Sequence, residues 1–424
     1  MRSSVGGGIK KATQVDRFRV REAGVEPAHP YGRTPLKRMR LPIPPFPQFG
    51  SFSEAGAKIQ VFLTRTSTAV IFFPDLGISL SNRQNQHSLY LCRMKFLVIQ
   101  TAFIGDVILA TAIVEKLRRF YPAADIDFLL RKGNEKLLAG HPHLRNVWIW
   151  DKKKDKYRGL WRIGAELRKE QYDWVLNCQR FAASGLLTVC SGARQTAGFA
   201  KNPFSWLFTH RAPHQFGTRE QPIHEVDRNL GLIRHLTDDS TVLPRLYPTA
   251  ADIAGSQAIR PNDMPYVCIA PTSVWFTKQY PRQKWIDLIQ HLPPSHAVYL
   301  LGGPDDQPAC AAIAANTERK HLYNLAGRLS FLESAVLMKG AAMNYVNDSA
   351  PLHIASAMDA PVAAVFCSTL PQFGFTPLSV RHWIVESGTS LPCRPCGLHG
   401  HAACPKGHFM CAHSIDWGQF PLPE

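Results

Sequence analysis

The sequence predicts an α/β protein built on two doubly wound parallel sheets, and three observations carry that expectation. The chain has 424 residues, 45% of them hydrophobic, more than a single core usually serves. Short apolar runs alternate with segments of helical period, the signature of strands buried on both faces. The alternation breaks at a Pro-rich passage, 244–265, and then starts afresh.

Residues 1–93 stand apart. They open on Gly6-Gly7-Gly8, pass Pro27, Pro30 and Pro35, and reach Leu41-Pro-Ile-Pro-Pro-Phe-Pro without a sustained helix or strand period. Such a stretch is expected to bury no core. It holds 14 Lys and Arg against 5 Asp and Glu, whereas the other 331 residues hold 35 against 27. The net charge of +17 would by itself suggest nucleic acid, anionic lipid or phosphorylated partners, but the part after Met94 is only mildly basic. The leader reads as a basic arm, a targeting peptide, or sequence upstream of the true start. The last is favoured, because Met94 opens directly into a regular pattern.

From there the elements follow in order. Phe96–Gln100 reads as a buried strand, and Leu109, Ile113, Leu117 and Phe120 mark a helix that Pro122 stops. Ile126–Leu130, Val147–Trp150 and Trp174–Asn177 continue the first sheet, with Leu160–Glu170 as a helix between them. Tyr266–Ala270, Ala297–Leu301, Met343–Val346 and Val362–Phe366 build the second. The expected division is a leader 1–93, a first wound half 94–262 and a second 263–424.

The apolar stretch Leu97 to Val114 is interrupted by Gln100, Thr101 and Gly105-Asp106, which argues against a membrane span or signal peptide. Of the ten cysteines, six are scattered and four fall within the last 35 residues, which fits a reducing cytosol better than a secreted disulfide framework. Neither half carries Gly-x-Gly-x-x-Gly after its first strand or a loop ending in Gly-Lys-Ser/Thr, which disfavours dinucleotide oxidoreductases and P-loop ATPases.

In wound sheets ligands sit beyond the carboxyl ends of the strands, and three loops there carry chemistry. In Thr101-Ala-Phe-Ile-Gly105-Asp106 the glycine permits close backbone approach, and Asp106 reads either as a base for a substrate hydroxyl or as a helix cap. In the 270–281 loop Thr272, Ser273 and Lys278 can cradle a phosphate, or Lys278 is an ordinary surface lysine. Asp348-Ser349-Ala350 caps a helix begun by Pro351, whose free N–H groups suit an anion, and His353 sits in its first turn. A carboxylate from one half facing a lysine and a helix N-terminus from the other suits a hydroxyl-bearing acceptor and a nucleoside diphosphate.

These residues resemble the inverting glycosyltransferases of family 9, the lipopolysaccharide heptosyltransferases among them. The resemblance spans Met94 to the C-terminus and rests on Ile104-Gly105-Asp106-Val107, Thr272-Ser273 with Lys278-Gln-Tyr-Pro281, Asn324-Leu-Ala-Gly327, and Asp348-Ser349-Ala350 with His353. It implies a GT-B fold of two facing Rossmann-like domains, the first for acceptor and the second for nucleotide sugar. It implies Asp106 as base, Lys278 with Thr272 and Ser273 on the diphosphate, and Asp348, Ser349, Ala350 and His353 on phosphate and donor sugar. The Gly302-Gly-Pro-Asp305-Asp306 loop falls where the ribose is recognised. Thr101, Gly105, Arg131, Lys132 and Arg180 are expected on the acceptor side, each also readable as ordinary surface.

The implied reaction moves a heptose from ADP-heptose to an anionic lipid-linked saccharide, the lipopolysaccharide core. It needs no metal cofactor and runs in the cytoplasm at the inner-membrane surface, without nucleic acid. Ala350 where the family often has Gly, and the bulky Val274-Trp275-Phe276, depart from the pattern and leave another nucleotide sugar as an alternative. Finally, Cys393, Cys396, Cys404 and Cys411 offer a structural zinc site as one option and reduced packing cysteines as another. With the overall charge they feed a rival reading, a zinc-dependent nucleic-acid-binding protein, which lacks an ordered basic stripe interleaved with aromatics.

Overall fold

The computed structural model describes residues 60–63, 69–73, 78–82 and 90–423, except 155, 219 and 262. Strands β1 (Gln60–Leu63), β2 (Ala69–Phe73), β3 (Ile78–Asn82) and β4 (Tyr90–Arg93) pair antiparallel in chain order. The expectation of no strand period before Met94 is therefore corrected for these four segments. Runs such as Ala69-Val-Ile-Phe-Phe73 carry the β-branched and aromatic residues that favour extended backbone, although Pro- and Gly-rich sequence precedes them. Residues 1–59 lie outside the described set.

After Met94 come β5 (Lys95–Ile99), α1 (Ile104–Phe120), β6 (Asp125–Arg131), β7 (Asn146–Trp150), α2 (Lys156–Lys169), β8 (Trp174–Asn177), α3 (Ala182–Cys190), β9 (Gln195–Phe199), β10 (His210–Ala212) and α4 (Glu225–Leu230). Helix α5 (Ala250–Ala258) leads to β11 (Tyr266–Ala270), α6 (Arg282–His291), β12 (Ala297–Leu300), α7 (Gln307–Ala315), β13 (Leu322–Asn324), α8 (Phe331–Lys339), β14 (Met343–Asn347), α9 (Ala350–Ala357), β15 (Val362–Phe366), β16 (His382–Glu386) and α10 (Met410–His413). The sheets run β7-β6-β5-β8-β9-β10 and β13-β12-β11-β14-β15-β16, all parallel. Counted from its own first strand, each reads 3-2-1-4-5-6, the dinucleotide-fold order that opens a crevice where the winding reverses. Those crevices lie between β5 and β8 and between β11 and β14. The register pairs Ile99 with Asn177 and Ala270 with Val346, so the loops after each pair start side by side.

The stretch weighed as a membrane span is thus a strand and a helix. Among the described residues no helix is long and apolar enough to cross a membrane. Helix α1 is buried nearly all round, with Val107, Ile108, Leu109, Ile113, Val114 and Leu117 fully enclosed, because it lies between sheets rather than on a surface. Each such side chain contributes about 1.5–3 kcal/mol of transfer free energy. Its neighbours α4 and α9 belong to the two halves, and one apolar cluster runs through α1, α9 and the inner faces of both sheets. The outer face of the first sheet packs on α2 and α3 through Leu160, Ile163, Leu167 and Leu187. The outer face of the second packs on α6, α7 and the chain end, where Phe409, Cys411, Ile415 and Phe420 are buried. Helix α5 packs on α8.

Candidate active site

Asp106 stands in the first turn of α1, directly beyond the end of β5. One carboxylate oxygen accepts the Phe103 N–H at 3.2 Å, so the capping role and a cleft-facing role coexist. Burial pushes this carboxyl above the ordinary aspartate range. Backbone N–H groups of Phe103 and Asp106 and the charges of Lys278 and Arg131 pull the other way. Lys278, from the second half, is therefore close enough to act on it.

The halves meet at Gly105. A Cβ there would lie 2.7 Å from Cδ2 of His353, so only glycine lets α1 approach α9 so closely. His353 is buried, its Nδ1 has no hydrogen-bond partner among the described residues, and burial lowers its pKa to about 3. The ring packs between the halves, at the start of the helix where a contact with phosphate or donor sugar is expected.

On the second sheet, Lys278 Nζ lies 2.7 Å from Asp348 Oδ2, and Thr369 Oγ1 donates to the same oxygen at 2.7 Å. Asp348 thus orients the lysine rather than presenting a bare carboxylate to a phosphate. Asn347 holds the loop in place: its Oδ1 accepts the Tyr280 N–H at 2.8 Å, and its Nδ2 donates to the carbonyls of Ala270 and Thr272 at 3.3 Å. Thr272 and Ser273, on the same loop as Lys278, are both half-buried. Ser349 caps α9 in extended backbone with its hydroxyl turned to the Asn347 carbonyl at 3.4 Å rather than to the helix N–H groups, and Pro351 follows in the first turn. Hence the first N–H groups of α9, from Ala350 on, are placed for an anion.

In the loop after β12, Asp306 accepts the Gly303 N–H at 2.8 Å and lies against Gly302, whereas Asp305 is exposed. Gly327 donates its N–H to the Gly302 carbonyl at 2.9 Å, joining the two loops.

A cavity of about 290 Å³ opens beside Asp106, lined among others by Gln179, Arg180, His214, Phe216 and Glu225. Arg180 thus shares this cavity with Asp106. Thr101 is committed elsewhere: its hydroxyl donates to Gln179 Oε1 at 2.6 Å and its carbonyl takes the Lys152 ammonium at 2.8 Å. Arg131 stacks over the Phe103 ring at 4.8 Å, while Lys132 pairs with Asp151 at 2.9 Å on the surface, outside this cavity.

Glu225 is a residue that sequence reading missed. It is buried beside Asp106, and Arg228 engages only its Oε2, through two nitrogens at 2.6 and 2.7 Å. Burial, against the pull of Arg228 and with a push from Asp106, raises its pKa to about 6. The signal available was His224-Glu225 opening a short helix, indistinguishable in sequence from a cap.

The four tail cysteines share one neighbourhood, but among the described residues no three His, Cys, Asp or Glu side chains are placed to hold an ion. Cys411 is buried in the core of the second half, Cys404 packs at its edge, and Cys396 donates to the Cys393 carbonyl at 3.4 Å.

Comparison with known proteins bears on this geometry. A model of the family described as glycosyltransferase family 9 (heptosyltransferase) matches residues 160–401. Lipopolysaccharide heptosyltransferase 3 of Escherichia coli K12 is 31% identical over 285 residues, covering 62% of this chain and 80% of the relative. Lipopolysaccharide heptosyltransferase 1 of Pseudomonas aeruginosa is 26% identical, covering 72% and 86%. Among solved structures, the E. coli ADP-heptose lps heptosyltransferase II superposes with a TM-score of 0.61 at 21% identity, over 70% of this chain and 92% of that one. The E. coli heptosyltransferase WaaC with ADP gives 0.55 at 19%, over 69% and 93%. These structures share the fold of two facing Rossmann-like sheets.

Proposed function

Because this chain belongs to glycosyltransferase family 9, we propose that it transfers a heptose from ADP-heptose to a sugar hydroxyl of the lipopolysaccharide core. The observation that carries the reading is that the Asp106 carboxyl of one half and Trp275 of the Lys278 loop of the other line one cavity, at the mouths of two equivalent crevices. The acceptor hydroxyl lies in the Asp106 cavity and attacks the anomeric carbon as the bond to the diphosphate oxygen breaks. The hydroxyl proton passes to Asp106, ADP departs, and the anomeric configuration inverts.

Negative charge gathers on the departing phosphate. Lys278, kept in place by Asp348, and the N-terminal N–H groups of α9 oppose it; such preorganised charge replaces a divalent ion in this scheme. Thr272 and Ser273 complete the phosphate cradle, Asp305 takes the ribose, and Arg180 meets anionic groups of the acceptor. Such an acceptor is lipid-linked, which places the enzyme at the cytoplasmic surface of the inner membrane.

Val274, largely exposed, and Trp275, on the wall of the Asp106 cavity, depart from the family pattern, and they make the donor the point to test first. A thermal-shift series with ADP, UDP and GDP sugars, followed by transfer assays with the strongest binder, addresses it. We expect ADP-heptose to give the largest shift and an inverted product. Selective stabilisation by a UDP or GDP sugar, with transfer from it, would replace the donor assignment.

A further inference from the structure

The cysteine-rich tail is built into the walls of this site, a role none of its residues was expected to have. Two of its side chains, Leu398 and His399, line the same cavity as Asp106 and Arg180, with Trp275 from the Lys278 loop beside them. The charges of Lys278, Arg180 and Asp348 all act on the His399 ring.

The segment is fixed there by backbone hydrogen bonds. Thr277 donates its N–H to the His401 carbonyl at 3.1 Å, and the His401 N–H returns to Thr277 Oγ1 at 2.8 Å. Ser368 Oγ donates to the same Thr277 oxygen at 3.0 Å, and the Cys396 N–H donates to the Ser368 carbonyl at 3.0 Å. Arg394 ties the start of the segment to the carbonyls of Phe366 and Thr369 and to Glu386, at 2.7–3.0 Å.

Gly400 makes the fit sterically feasible. Its φ of +78° is left-handed, and a Cβ there would lie 2.9 Å from Thr277 Oγ1 and 3.3 Å from Lys278 Cγ. The tail therefore leans on the residue before Lys278 and on the lysine stem itself, and the turn at Gly400 leaves His399 facing the cavity.

We propose that the 398–401 segment is an acceptor-recognition wall, in which His399 hydrogen-bonds the acceptor saccharide at the rim of the Asp106 cavity and Leu398 packs against a sugar face. The inference rests on the reading of that cavity as the acceptor site. An imidazole suits the task because one ring nitrogen donates and the other accepts, matching a sugar hydroxyl or an acidic group of the core.

The test is a calorimetric titration of a de-acylated lipopolysaccharide core oligosaccharide, and separately of ADP, into wild type, His399→Ala and His399→Gln. We expect His399→Ala to bind the oligosaccharide roughly tenfold more weakly, the size of one lost hydrogen bond, and ADP as wild type does. His399→Gln, which keeps a donor and an acceptor, should recover most of that affinity. Unchanged oligosaccharide affinity in His399→Ala, or an equal loss for ADP, would overturn the proposal, the latter by making the tail a mere prop for the Lys278 loop. No oligosaccharide binding by wild type would also overturn it. Wild-type protein that binds the oligosaccharide but transfers nothing from ADP-heptose would instead strike the donor assignment and leave the titration to judge the tail.

Discussion

The two crevices of this molecule share a strand order and differ in almost everything else. At the first, a short βα loop delivers one carboxylate into a desolvated position where burial favours its protonated form. At the second, a longer loop after β11 and the turn after β14 deliver a lysine, a carboxylate that orients it, and a helix N-terminus. Topology fixes where a ligand can sit, and the side chains at that place decide whether it loses a proton or keeps a negative charge.

The sharpest way to break this division is at Asp106. Asp106→Asn keeps the acceptor atom for the Phe103 N–H but cannot take a proton, and turnover should fall by roughly 100- to 10,000-fold. Near-wild-type rates in both Asp106→Asn and Asp106→Ala would eliminate the base. Lys278→Ala comes next, with an expected loss of about 100- to 1,000-fold in kcat/KM together with weaker ADP binding, since it removes a charge that opposes the leaving group. A variant that kept kcat/KM would show that Asp348 and Lys278 form only a structural pair.

The contact between halves gives a smaller effect. Gly105→Ala drives a Cβ into the buried His353 ring and should cost about 1–3 kcal/mol in chemical denaturation. An unchanged midpoint would mean that the halves part without strain.

Smaller still are the linkage effects. Because burial raises the Asp106 pKa, its contribution to stability is whole below the ordinary value of 3.8 and is lost as pH rises through the folded value. Asp106→Asn should therefore melt about 1–3 °C higher than wild type at neutral pH, even as it loses activity. His353 runs oppositely: the fold keeps it neutral, so its contribution is whole above pH 6.5 and drains as pH falls toward about 3. The melting-temperature gap between wild type and His353→Gln should narrow across that window, and a gap independent of pH would contradict the neutral, buried assignment.

The central strands were legible because burial on both faces leaves continuous apolar runs, as in Val362-Ala-Ala-Val-Phe366. β9 and the edge strands β10, β13 and β16 were not, although the edge strand β7 was. β10 is His210-Arg-Ala212 with its first two residues exposed, and β16 exposes His382, Trp383 and Ile384, so neither needs an apolar run. The site divided along similar lines. Asp106, Lys278 and the 348–353 turn lie beside strand ends and could be found by position. Glu225, Asn347, Thr369 and the 398–401 segment reach the site only through tertiary packing, and nothing in their local sequence separates them from caps, turns and surface.

The division of labour between the halves is tested most directly by titrating ADP into Asp106→Asn. If the carboxylate serves only the acceptor, ADP should bind with an affinity within about twofold of wild type, a difference under 0.5 kcal/mol. A tenfold or greater loss would place Asp106 in the nucleotide site and contradict the account.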